Sequence, residues 1–162
     1  MKKIFVMASV VLCLALIFCS CANNMIIKKG ERVDGIDKRC ERYFTITSLS
    51  GYKTDGGYCV VVENNGIVQG VAMFSSERRC CESQGIDLID DSEGIEKYLN
   101  KPFEEIRQQL GAPHADVGSG FYIPAYLTEK AYLICFELED GIVCGIVKRD
   151  MIKNEIAERV ER

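Results

Sequence analysis

Two stretches of this chain, "ENNGIVQGV" and "LEDGIVCGI", restrict its fold more than any other feature. Aligned on Gly66 and Gly141, they share Gly, Ile, Val and a second Gly at an offset of 75 residues. Asn65-Gly66 and Asp140-Gly141 each separate two apolar runs. A tight type I′ turn needs positive φ at both central positions, and Asn-Gly or Asp-Gly meets that need, so each pair predicts a β-hairpin. Upstream, "YFTITSL" and "FYIPAYL" hold roughly corresponding places. The chain is therefore expected to hold two similar three-stranded meanders, with half-repeats at about 42–74 and 93–148, in an α+β domain with an antiparallel sheet. "GYKTDGG", rich in turn residues, reads as a connection.

Between the hairpins, "SEGIEKYLNKPFEEIRQQLG" places Ile95, Tyr98, Leu99, Phe103, Ile106 and Leu110 at helical spacing. It predicts a short helix pair, the first starting at Ser92 and the second at Asn100. Pro102 suits a first turn, and Gly111 is the stop. The charged tail 151–162, with Met151, Ile152, Ile156 and Val160, is expected to form a C-terminal helix.

The N-terminus addresses the compartment. "MKK" precedes an uncharged apolar run from Ile4, which is the layout of an export signal. The end of that run, "FCSC", resembles a bacterial lipobox, which implies cleavage before Cys21 and lipid on its thiol. This makes 1–21 a lipoprotein signal peptide with a signal helix. Residues 22–40 become a polar tether with a short ordered piece near Val33–Ile36, and 41–150 the folded domain. An uncleaved anchor or ordinary secretion fits the same run. Residues 1–21 carry two lysines and no acid, so their loss takes the net charge from -4 to -6. With no basic stripe, nucleic acid is not an expected partner.

Beyond the signal and Cys21, six cysteines remain. Cys59, Cys135 and Cys144 lie in apolar strand-like runs and read as buried side chains. Cys80 and Cys81 sit beside Arg78 and Arg79, where cations lower a thiol pKa. They are candidates for redox chemistry or for a bridge with Cys40. One histidine and no C-x-x-C leave a metal site poorly supplied, so no metal and no cofactor are expected.

The histidine lies in "GAPHADVGSG". His114, Asp116 and Ser119 contain the residue types of a catalytic triad, but three members within six residues of one loop are hard to align. The loop can instead be a binding edge, its glycine-rich backbone offering N–H groups, or simply the reversal after a helix. Tyr122, Pro124 and Tyr126 alternate onto one strand face, so Tyr122 and Tyr126 are candidates for an exposed binding row.

"FEEIRQQLGAPHAD" followed by strands carrying "DGIV" resembles the SmpA/OmlA and β-lactamase-inhibitor-protein-like superfamily, well over 93–148 and weakly over 42–74. The same segments look like uncharacterised lipoproteins of anaerobic Gram-positive bacteria. The resemblance implies a helix pair on a meander sheet, sometimes in tandem, and a protein-binding scaffold without transferred catalytic residues. The expected function is a membrane-tethered protein-binding or envelope-assembly module, not an enzyme, whose partner is another envelope or extracellular protein. The alternatives are a secreted enzyme inhibitor, or a small enzyme or redox protein using His114 or Cys80 and Cys81.

Overall fold

A computed structural model describes residues 27–54, 57–75 and 80–162, with only the backbone described at 80–81. The expected signal peptide and Cys21 lie outside these residues, as do the side chains of Cys80 and Cys81. The structure is a structural tandem. One sheet runs β1 (Glu41–Ile46), β2 (Leu49–Thr54), β3 (Gly57–Asn64), β4 (Ile67–Ser75) and β5 (Cys80–Gln84) in sequence order. The other runs β6 (Ala115–Asp116), β7 (Pro124–Leu127), β8 (Tyr132–Glu139), β9 (Ile142–Asp150) and β10 (Glu155–Glu161). All pairings between these strands are antiparallel. Each half thus has five strands rather than the three expected.

The halves agree in detail. The turns have φ of 51° and 73° at Asn65 and Gly66, and 51° and 77° at Asp140 and Gly141. Positive φ at both positions is what the I′ turn demands. β3 and β8, and β4 and β9, correspond residue for residue, and each hairpin bulges at the same place, at Gln69 and at Cys144. A helix precedes each meander: α1 (Val33–Asp37) and α2 (Phe103–Leu110). The Val33 N–H donates to the Gly66 carbonyl at 3.0 Å, and the Phe103 N–H to the Gly141 carbonyl at 2.8 Å. Ile36 and Ile106 are fully buried beneath these helices. Tyr52 and Tyr126 are also fully buried. The Tyr52 hydroxyl donates to Asp37 at 3.0 Å, and the Tyr126 hydroxyl to the Gly111 carbonyl at 2.8 Å. Each tyrosine ties the second strand of its sheet to the end of its helix.

Three apolar clusters set the layers. One joins α1 to the first sheet through Ile36, Tyr52, Cys59 and Val61. Another joins α2 to the second sheet through Ile106, Tyr126, Ile134 and Phe136. The third lies between the sheets and contains Phe44, Val60 and Phe74 with Leu127, Leu133 and Met151. The order is helix, sheet, sheet, helix. Both faces of each sheet are covered, which explains why "YCVVV" is continuously apolar rather than alternating. The Tyr43 hydroxyl donates to the Met151 carbonyl at 2.9 Å and links the sheets.

Four expectations need correction. The tail 151–162 is not a helix: Ile152 and Lys153 N–H groups donate to Asp150 Oδ1, both at 3.0 Å, the chain turns, and β10 pairs with β9. The open edge of β9 supplies hydrogen bonds that outweigh a weak helical periodicity. "GYKTDGG" is largely strand β2, where Gly51 lies beneath the Phe44 ring: a Cβ there would meet Phe44 Cε1 at 1.9 Å. The tether is packed from Ile27, which is 1% exposed, although the short piece at Val33–Ile36 is present as α1. The helix pair reduces to a 3-10 turn, Glu96–Tyr98, followed by α2. Asn100 has φ 62° and its N–H bonds the Val143 carbonyl, while Ser92 N–H and Oγ bond Asp90, so neither starts a helix.

Candidate functional site: the β6–β7 loop

The halves differ most between their first two strands. β1 and β2 are joined by Thr47 and Ser48 alone, whereas β6 and β7 are joined by Val117–Ile123. In repeat architectures, an insertion confined to one repeat forms a surface loop, often on the binding face. The loop begins in the stretch that holds the lone histidine.

Gly111 ends α2 with φ 82°, and its N–H donates to the Arg107 carbonyl at 2.9 Å. The chain then reverses through Pro113. The His114 N–H donates to the Ala125 carbonyl at 2.9 Å, setting β6 against β7. Its ring is a staple. Nδ1 accepts from the Leu127 N–H at 2.8 Å and therefore carries no proton. Nε2 then carries it, and donates to the Asp87 carbonyl at 3.0 Å, across the junction of the two halves. Burial pushes the His114 pKa down, in keeping with a neutral ring. The ring also meets Tyr126 edge-on at 5.7 Å. Both nitrogens serve the backbone, so this geometry presents no imidazole base.

Asp116 closes the loop. Its Oδ1 accepts from the Gly118 N–H and the Ile123 N–H, each at 3.0 Å. The Val117 N–H donates to the Ile123 carbonyl at 3.0 Å. Gly118 is required here, because a Cβ would stand 1.6 Å from the Phe121 carbonyl oxygen. Ser119 lies exposed on the loop rim. The carboxylate of Asp116 and the ring of His114 are thus committed to separate backbone bonds and do not assemble a triad with Ser119.

This clamped loop presents Phe121, 82% exposed, and Tyr122, 52% exposed. Tyr122 rests edge-on against Phe103 at 6.2 Å. Exposed rings on a pre-shaped loop can bind a partner surface with little ordering cost. The tyrosine row is corrected: Tyr126 is fully buried, with its hydroxyl on Gly111, and Pro124 is buried too. Burial pushes the Tyr126 pKa up to about 12. Phe121 escaped the sequence reading because strand alternation puts it on the face opposite Tyr122. The signal that could have found it is the run Gly118-Ser119-Gly120, which marks a loop tip, not a strand.

The cysteine candidates divide. Cys40 is buried in the same cluster as Cys59, beside Ile36 and Tyr52. Burial pushes the thiols of Cys59 and Cys135 up to about 12. Cys144 is half-buried at the β9 bulge, and its thiol donates to the Glu137 carbonyl at 3.3 Å. Cys80 opposes Phe74 at the start of β5. Among the described residues, no three His, Cys, Asp or Glu side chains gather as a cation would need.

In comparisons with family models, curated proteins and solved structures, nothing matched this chain.

Proposed function

We propose that this chain is an extracytoplasmic lipoprotein, held at the membrane through Cys21, whose folded domain binds another envelope protein through the β6–β7 loop. The observation that carries the reading is the clamped loop with Phe121 and Tyr122 at its surface, added in the second half and absent from the first. Large exposed aromatic side chains are favoured as binding anchors. The export-type N-terminus supplies the compartment. The resemblance to lipoprotein and inhibitor scaffolds agrees in kind, and an enzyme inhibitor is the narrower form of the same reading, since a stiff loop with an aromatic tip suits insertion into a cleft.

The test places a photo-crosslinking residue at position 121 of the full chain in its own cells, and in a separate strain at exposed Lys38 beside α1. One discrete adduct from position 121, absent from position 38, is expected. Identical adducts from both positions would count against the loop. Incorporation of an alkyne-tagged fatty acid, lost on Cys21→Ala, checks the anchor independently.

A further inference from the structure

The correspondence of the halves exposes a second difference. In the first half the layer between the sheets is filled by Phe74, 1% exposed, and by Val62. The matching positions in the second half are Arg149 and Glu137. Charged residues at positions that the repeat reserves for core are departures from local consistency, and such departures concentrate at functional sites. Here they coincide with an opening. A half-open cleft of about 170 Å³ lies between the sheets, lined by Ile46 of the first sheet, Val117 and Ile123 at the base of the β6–β7 loop, and Cys135, Val147 and Arg149 of the second. Glu137 is also on its wall.

We propose that this cleft binds a small apolar molecule bearing a carboxylate, of the medium-chain fatty acid class. The hydrocarbon lies between the sheets and the carboxylate meets Arg149. Size supports the first part: an apolar cavity of roughly 150 Å³ is known to admit benzene, about six carbons. Charge supports the second. The Glu137 carboxylate is held by Arg159 of β10, whose Nη2 donates to both oxygens at 3.1 and 3.2 Å while its Nε donates to Glu161. Arg149 donates its Nε–H to the uncharged Asn154 side chain at 3.3 Å and pairs with no carboxylate among the described residues, which leaves its positive charge for an incoming anion. Arg149 sits on the same strand face as Val147, so head and tail are addressed from adjacent positions.

Methyl NMR of the full-length chain in lipid nanodiscs tests this, with isoleucine and valine labelled and hexanoate, hexanol and hexylamine as probes. Hexanoate is expected to shift the Ile46, Val117, Ile123 and Val147 methyls saturably, while hexylamine leaves them in place. Arg149→Gln weakens hexanoate about tenfold and leaves hexanol unchanged, because only the charged contact is lost. Val147→Phe fills the cleft and abolishes binding of both; should that variant misfold, Ile46→Phe fills the space from the other sheet. Hexanoate shifts that are absent or never saturate would overturn the proposal. Equal binding of all three probes, or unchanged binding to a folded cleft-filled variant, would do the same.

Discussion

His114 acts through its two ring nitrogens, and both hold backbone groups, the Leu127 N–H and the Asp87 carbonyl. His114→Ala strands the Leu127 N–H and the Asp87 carbonyl and should cost about 1–3 kcal/mol at neutral pH, read by chemical denaturation. The pH dependence has a definite sign. Burial holds the folded-state pKa below the ordinary 6.5, so the neutral ring's contribution is present above that value. It is lost as pH falls from there toward the folded-state pKa. Between pH 7.5 and 5 the native chain is expected to lose more stability than His114→Asn. Equal losses in both proteins would show that the ring is not the staple described. Asp91 makes a different demand. Its side chain is 1% exposed and meets Lys148 Nζ at 2.5 Å, with Lys130 farther off at 3.6 Å. Lys148→Ala leaves a buried carboxylate short of its main cation and should destabilise by about 3–5 kcal/mol. Lys130→Ala, at a half-exposed residue, should cost under about 1 kcal/mol. Thermal or denaturant melts of the two variants check the ordering.

At the scale of elements, the β6–β7 loop and β10 carry the testable consequences. Asp116→Ala removes the acceptor for two N–H groups at once. Amide exchange over residues 117–123 should rise sharply, while β8 and β9 keep their protection. Uniform exchange changes across the second sheet would mean that the loop is part of the core fold rather than a clamp on it. β10 protects the edge of β9, and its run of Glu and Arg keeps its own outer edge from pairing with other chains. Truncation after Met151 is expected to expose β9 and drive self-association, measured by light scattering; a monodisperse truncated chain would contradict that role. Legibility follows the range of the interactions. The two I′ hairpins were readable because Asn65-Gly66 and Asp140-Gly141 settle them locally. The stop at Gly111 was readable for the same reason. β2 and β10 were not, because Gly51 is explained only by the Phe44 ring above it and β10 only by a distant open edge. The Ser92 and Asn100 helix starts failed because Asp90 and Val143 compete for the same backbone groups.

Across the whole molecule, two similar halves pack sheet to sheet, with α1 and α2 as the outer layers. This explains why two fully buried tyrosines, Tyr52 and Tyr126, play one role twice, and why the expected open tyrosine face does not exist. The proposed functions rest on what the second half has and the first lacks: a longer loop ending in Phe121 and Tyr122, and charges at the inter-sheet layer. The stretch that the sequence singled out through His114, Asp116 and Ser119 divides by burial and bonding. The histidine and the aspartate build the loop, and the phenylalanine two residues past Ser119 is its exposed surface. The most direct measurement is the affinity of the partner crosslinked at position 121 for four full-length proteins: native, Phe121→Ala, Tyr122→Ala and Lys38→Ala. Loss of about 2 kcal/mol or more, some thirtyfold, is expected for Phe121→Ala, with a smaller loss for Tyr122→Ala and none for Lys38→Ala. Unchanged affinity for Phe121→Ala would contradict the assignment of this loop as the binding site.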